Sequence, residues 1–308
     1  MKEPGASRTA YYVALYRALE SEERARTPLF HDPFARAFLP RRLRLVERLA
    51  RAPIFRAALM RYADRRAPGA RSSAIGRTRF IDDFVRREVE QGAEQLVLLG
   101  AGYDCRAHRM SELRGVTVFE VDRAATQLVK RRRIARESDA RARHDVVYVP
   151  VDFSRDDAFE RLERAGWRRD GRTIFIWEGV TNYLTEPDVA HVLAAIGRAA
   201  PASAVVFTYV HRGVIDASVT FEGADKVVEN VKRLGEPWRF GIIPSELGAF
   251  VERFGLALEE NLGADEYRAR YMPGDDSFRG YAFYRIAVAR VSTAPSPDRT
   301  PDRSRNHR

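Results

Sequence analysis

Five short apolar runs, separated by stretches with apolar residues at helical spacing, dominate the middle of the chain. They are QLVLLG (95–100), VTVFEVD (116–122), VVYVPVD (146–152), TIFIWEG (173–179) and AVVFTYV (204–210). Nearly continuous apolar strands of this kind are buried on both faces. The stretches between them, such as 123–136 and 186–199, carry helical periodicity. The alternation predicts an α/β fold with a mostly parallel sheet between helical layers. After residue 211 the rhythm changes. Residues 211–243 read as an insertion, and a helix follows near 245–253. LALEENL and YAFYRIAVARV read as a closing antiparallel pair at the sheet edge, joined by a polar connection without a strong crossover helix.

Residues 1–92 read as helical. Tyr12, Leu15, Tyr16 and Leu19 share one helix face, with Ser7 or Thr9 as the cap. TPLFHDPFARAFLP contains Pro28, Pro33 and Pro40 and predicts a loop with a short helix. Ile75, Phe80, Phe84 and Val85 mark a helix over about 72–90 that Gly92 closes. The pattern divides the chain into an N-terminal helical cap (1–92), an α/β core (93–291) and a tail (292–308). The tail is Pro-, Ser-, Asp- and Arg-rich with no apolar anchor, so it is expected to be disordered.

Composition narrows the function classes. With 308 residues, 45% hydrophobic and 31% charged, the chain can bury a large core. No apolar run approaches the roughly 20 residues that span a bilayer, and the N-terminus lacks the apolar segment of a secretion signal. A cytoplasmic protein without a membrane partner is expected. Cys105 is the single cysteine, which excludes an intramolecular disulfide. The histidines have no ligand spacing with one another or with Cys105, so no metal is expected. The net charge of +10 comes from 53 basic residues, only four of them lysine. That arginine bias fits a GC-rich bacterial genome. The basic residues mostly alternate with acidic ones, and no basic stretch is interleaved with aromatics, so no nucleic-acid partner is expected.

Four strand ends carry the candidate chemistry. In LVLLGAGYDCR (96–106) a strand runs into Gly100-Ala101-Gly102. Glycines there let a ligand approach the backbone and permit positive φ. The dinucleotide fingerprint G-x-G-x-x-G is incomplete, because its third glycine position is Cys105. In VFEVD, Glu120 and Asp122 lie 20 and 22 residues after Gly100. Asp122, nearer the loop, is placed to accept hydrogen bonds from ribose hydroxyls, with Glu120 as helper or structural anion. Asp152 ends the third strand and Phe153 follows it, where a carboxylate and an aromatic can face an adenine. In IFIWEGVTNYL (174–184), Glu178 ends the fourth strand and suits a cationic ligand group.

Together with TAYYVALYRALE, LFHDPFARAFL, AIGRTRFIDDFV, FEVDRAATQLVKRRRI and WEGVTNYLTEPDV, these segments resemble the leucine carboxyl methyltransferase superfamily. The likeness is narrowest to its bacterial branch, associated with polyketide O-methylation, and covers about residues 7–290. The resemblance implies a class I methyltransferase (Rossmann-like) fold, a mostly parallel seven-stranded sheet with an antiparallel edge strand and an N-terminal helical cap. It implies S-adenosyl-L-methionine as cofactor and a small-molecule methyl acceptor. By the same resemblance, Gly100, Ala101 and Gly102 contact the methionine part and Asp122 binds the ribose. Asp152 and Phe153 face the adenine, Glu178 meets the amino group, and Arg77 grips the carboxylate, with Arg79 as the fallback. Tyr103-Asp104-Cys105 departs from the family's usual leucine, aspartate and threonine.

A carboxylate acceptor needs no general base. For a hydroxyl acceptor, Tyr183 and His211 are base candidates by position after strand ends. Two other readings stand beside this one: a nicotinamide-dependent dehydrogenase and a non-catalytic cofactor-binding module. The missing third glycine and the lack of a hydride-transfer apparatus count against the dehydrogenase.

Overall fold

The computed structural model describes residues 8–137, 146–153, 155–233, 235–275 and 278–292. The expected tail and the capping role of Ser7 lie outside these residues, apart from Ser292. Seven strands form one sheet: β1 (Gln95–Leu99), β2 (Thr117–Asp122), β3 (Val146–Pro150), β4 (Thr173–Trp177), β5 (Ala204–Val210), β6 (Leu256–Leu262) and β7 (Tyr284–Val291). The order is β3-β2-β1-β4-β5-β7-β6. The pairings from β3 through β5 are parallel, and β7 runs antiparallel to both β5 and β6. The expected antiparallel pair therefore closes the sheet. Its outer member is β6, and the reversed strand β7 lies one place inside.

The described helices are α1 (Arg8–Ser21), α2 (Arg41–Leu49), α3 (Pro53–Arg66), α4 (Ala70–Glu90), α5 (Arg106–Arg109), α6 (Ala124–Glu137), α7 (Ala158–Arg164), α8 (Glu186–Gly197), α9 (Arg212–Ile215), α10 (Ala224–Arg233), α11 (Leu247–Glu252) and α12 (Ala264–Tyr271). None of them is long and apolar enough to cross a membrane. The strand period of two sorts the sheet's side chains into two cores. Val97, Leu99, Phe119, Val121, Phe175 and Trp177 pack with α7, α8 and α11 on one face. Leu96, Leu98, Val118, Ile174 and Ile176 pack on the other against Ile75, Phe80, Ile81, Phe84 and Val85 of α4. Each such fully buried side chain contributes about 1.5–3 kcal/mol.

Two local expectations change. α1 already includes Thr9, so Thr9 sits within its first turn rather than capping it. The connection between β6 and β7 contains α12, because Tyr267 gives that polar stretch an anchor. Its hydroxyl lies 2.7 Å from Ser73 Oγ, and its ring fills the space beside Gly76, where a Cβ would come within 2.6 Å. The departure at 103–105 is absorbed by the helices before β1. Tyr103 stacks on Phe38 at 4.5 Å between ring centroids and lies 5.9 Å from Tyr11. Cys105 is fully buried, and burial pushes its thiol pKa up, as suits a packing residue.

Candidate functional site

The strand order reverses direction between β1 and β4, and ligands of open α/β sheets bind outside the carboxyl ends of the strands at such a point. Gly100 and Gly102 have φ of +70° and +45°. The Gly100 and Ala101 amides both donate to the Val121 carbonyl, at 2.8 and 3.0 Å, and the Gly102 amide donates to Asp122 Oδ2 at 2.6 Å. Asp122 Oδ1 accepts from the Arg123 amide at 2.6 Å. Each oxygen retains a second lone pair for a ligand hydroxyl. A Cβ on Gly102 would meet nothing closer than the Gly100 carbonyl at 3.8 Å, whereas one on Gly100 would lie 2.5 Å from Val180 Cγ2. Gly100 is thus required by the packing of the β4 loop, and Gly102 leaves a surface open to close approach.

That difference is testable. Gly100→Ala combines a positive φ with a clash and should destabilise the protein by roughly 1–3 kcal/mol. Adding Val180→Ala should restore part of the loss in urea melts. No recovery in the double variant would mean that the clash is not the cause.

The β3 end adjoins Asp122 through the Val151 amide, which donates to the Asp122 carbonyl at 3.0 Å. Asp152 and Phe153 follow in a tight turn, with the Asp152 carbonyl accepting from the Arg155 and Asp156 amides. The N-cap of α7 is Asp157, which accepts from the Phe159 and Glu160 amides; Asp152 is therefore not occupied as a cap. On the far side of β1, Glu178 Oε1 lies 3.4 Å from Arg77 Nε and Oε2 accepts from Arg106 Nη1 at 3.1 Å. The Arg77 guanidinium stacks 4.4 Å over the Tyr284 ring. Its only hydrogen bond among the described residues is from Nε, so both Nη groups keep a fork suited to a carboxylate. The fallback Arg79 is engaged elsewhere, by Asp83, the Leu29 carbonyl and the Tyr271 ring.

Behind Glu178 runs a buried chain of alternating charges. Arg106 donates to Asp82 Oδ1 at 2.8 Å and to Asp104. Arg109 donates to the same Asp82 oxygen at 2.6 Å and lies 3.9 Å from Asp32. Asp32 pairs with Arg17 at 3.1 Å, and Arg17 donates to the Tyr103 carbonyl at 2.6 Å. This network ties α1 and α4 to the glycine turn. Arg106, Asp82, Asp104 and Tyr284 have no part in the motif reading of the site. A signal exists for Asp82: it shares the helix face of Ile75, Thr78 and Val85, and a carboxylate on an apolar stripe needs a buried partner.

Burial by itself would raise the Asp104 pKa, but Arg106, Lys130 and Arg17 outweigh it and hold the carboxyl at about 2. A carboxylate depressed below its ordinary value near 3.9 adds stability that is complete above that value and is lost as pH falls through the folded value. Asp104→Asn should therefore cost on the order of 2 kcal/mol at pH 7, and the gap to wild type should close as the pH approaches 2. Urea melts between neutral and acid pH check this, and a pH-independent gap would contradict it. Glu120 behaves differently. Burial lifts its pKa to about 7, opposed by Lys130, whose Nζ is 2.8 Å away. Glu120 is fully enclosed and pairs with Lys130.

Neither base candidate is well suited to accept a proton. Burial pushes the Tyr183 phenol up to about 12, helped by Tyr284, so it is a donor at neutral pH. His211 is the N-cap of α9, with Nδ1 accepting from the Gly213 amide at 3.0 Å. The neutral ring then carries its proton on Nε2, which is a donor. Burial and the Arg285 guanidinium lower its pKa.

A family model described as leucine carboxyl methyltransferase matches residues 10–197. A protein of Frankia alni, named a candidate S-adenosyl-L-methionine-dependent methyltransferase, is 36% identical over 209 residues, 67% of this chain and 69% of its own. A Streptomyces coelicolor protein of the same description is 38% identical over 219 residues, covering 69% and 72%. The crystal structure of a candidate methyltransferase from Thermobifida fusca YX superposes with a TM-score of 0.58 at 18% identity, over 94% of this chain and 98% of that one. At that identity the likeness concerns the fold, which is the class I methyltransferase sheet.

Proposed function

Because this chain belongs to the leucine carboxyl methyltransferase family and is an S-adenosyl-L-methionine-dependent methyltransferase, we propose that it methylates an oxygen of a small molecule, with a carboxylate as the acceptor. The supporting observation is the state of the two groups positioned as bases. Tyr183 holds its proton, and the His211 nitrogen that lacks one is already an acceptor in a helix cap. A carboxylate arrives ionised and needs no base, whereas an alcohol or phenol acceptor must lose a proton. A polyketide or other secondary metabolite bearing an acid is the substrate class that fits.

The residues present fit the cofactor. The Gly102 surface is open to close approach, the Asp122 carboxylate retains acceptor capacity, and the Arg77 fork is free for a carboxylate. In this reading Gly100, Ala101 and Gly102 line the methionine part, and Asp122 takes the ribose hydroxyls. Asp152 and Phe153 face the adenine, Glu178 takes the amino group, and Arg77 takes the carboxylate. S-adenosyl-L-methionine supplies a methyl carbon already activated by its sulfonium. The chain's task is then to hold the acceptor oxygen in line with that carbon, and such positioning can remove about 7–11 kcal/mol of barrier. Residues 1–92 act as the cap and 211–243 shape the acceptor side of the 93–291 core.

The test is transfer of labelled methyl from the cofactor to a panel of small acids, phenols and amines. Turnover itself separates an enzyme from a cofactor-binding module. A methyl ester releases its label as methanol in mild base, whereas ethers and methylamines do not. Base-labile product and a rate flat across neutral pH are expected. Base-stable label on phenols would move the acceptor to a hydroxyl, and label on amines would overturn O-methylation.

A further inference from the structure

The consecutive helices α2 and α3 leave a group of large apolar side chains exposed. Ile54 is 84% exposed, and Leu45, Leu49, Phe55 and Tyr62 are each about half exposed or more. α3 has fourteen residues and buries none of them. An isolated helix of that length is marginal in water, and helices in proteins are held chiefly by a packed face. α2 is anchored by buried Glu47 and Ala50 and by Arg44, which donates to the Ala37 and Leu39 carbonyls. α3 is attached by fewer contacts: Arg56 donates to the Leu19 carbonyl and Glu23, Arg71 pairs with Asp64, and Leu59 and Met60 pack partly against the cluster around α1.

The charge of the two helices is as uneven as their hydropathy. Residues 41–66 hold nine arginines against Glu47 and Asp64, a net +7 within a chain of net +10. The two acids are already engaged, Glu47 by Arg36 and Arg51 and Asp64 by Arg71. Arg41, Arg42, Arg48, Arg61, Arg65 and Arg66 are exposed. None of the six has an acidic partner among the described residues.

We propose that the α2–α3 segment is a docking surface for an anionic lipid bilayer, lying in the interface with Leu45, Leu49, Ile54 and Phe55 among the acyl chains and its arginines on the headgroups. By helical spacing Arg41, Arg42 and Arg48 flank Leu45 and Leu49, and Arg61, Arg65 and Arg66 flank Ile54, Phe55 and Tyr62, so basic and apolar side chains share the exposed face. Arginines so placed reach the headgroups while the apolar residues beside them enter the acyl boundary. Basic residues close to an anionic surface are drawn to it, and the attraction weakens with salt. A second copy of the chain is disfavoured because two +7 surfaces would face each other. Single-stranded nucleic acid would suit the arginines, Phe55 and Tyr62, but three of the five apolar side chains are aliphatic and cannot stack on bases. Lack of a spanning run bears on crossing a bilayer and leaves an in-plane surface open.

The experiment is co-sedimentation of the full chain with vesicles of phosphatidylcholine, alone or with about a third phosphatidylglycerol. Sedimentation velocity and titration with a fluorescent single-stranded oligonucleotide run alongside. Binding to the anionic vesicles only, weakened by salt, is expected. Ile54→Ser with Phe55→Ser should lower vesicle affinity by at least about tenfold, and Arg41→Gln with Arg42→Gln should lower it as well. Both variants should keep wild-type affinity for S-adenosyl-L-homocysteine, which shows that they are folded. Should the first pair fail to fold, Leu45→Ser with Leu49→Ser makes the same test. The proposal fails if wild type ignores anionic vesicles, if neither class of variant weakens binding, if the chain instead forms a dimer that Ile54→Ser with Phe55→Ser disperses, or if oligonucleotide binds and vesicles do not.

Discussion

Arg106→Met should destabilise the protein by about 3–5 kcal/mol, the range for removing one partner of a buried ion pair. Arg106 is almost wholly enclosed and reaches Asp82, Asp104, Glu178 and the Thr78 carbonyl. Methionine fills much of the volume but donates nothing. Asp82 would keep Arg109, whereas Asp104 would lose its strongest counter-charge and Glu178 one of its two. Urea denaturation at neutral pH measures the loss. Two controls give the number meaning. Asp104→Asn in the Arg106→Met background should recover part of the stability, because it removes the stranded carboxylate. Arg106→Lys should recover less than its charge suggests, since one ammonium cannot reproduce a fork that bridges three acids. A loss below about 1 kcal/mol would mean that the network is solvated and contributes as a surface pair does.

Asp122→Ala should reduce affinity for S-adenosyl-L-homocysteine by about a hundredfold or more. Two hydrogen bonds from ribose hydroxyls to a carboxylate contribute about 1.5–3 kcal/mol each, and each 1.4 kcal/mol is a factor of ten. The carboxylate also holds the glycine turn through the Gly102 amide, so part of the loss comes from a looser turn. Asp122→Asn separates the two effects. It retains one oxygen for the Gly102 amide but gives up charge and one acceptor, and should fall between wild type and alanine. Titration calorimetry gives the affinities and thermal melts show that the fold persists. Equal affinity in wild type and Asp122→Ala would remove Asp122 from the site and with it the proposed arrangement of the cofactor.

Several elements were legible because a local rule and the global fold agree on them. β1, β4 and β5 are mostly apolar on both faces and are buried along their whole length. Gly100-Ala101-Gly102 lies at the strand end because positive φ after a buried strand is what glycine permits. Arg77 and Glu178 were placed through the family motif, and they meet at 3.4 Å. The misplacements are equally physical. Thr9 has a capping residue's chemistry, but α1 begins before it. The 263–283 connection is polar, and it became helical around one aromatic, Tyr267, that docks on a glycine and a serine of another helix.

The amino-acid pattern by itself determined the layered sheet, the strand ends that carry acids and glycines, and the family to which these belong. Hydrophobic period and backbone freedom act over a few residues, so they are written locally. Tertiary structure alone decided which charges meet. Arg106 lies between Asp82, Asp104 and Glu178 because two separate turns of chain and one helix arrive at the same enclosed volume, where an unpaired charge would be prohibitive. It also decided that α2 and α3 show large apolar residues to solvent, since a helix's period states which side chains share a face, and only its neighbours determine whether that face is covered.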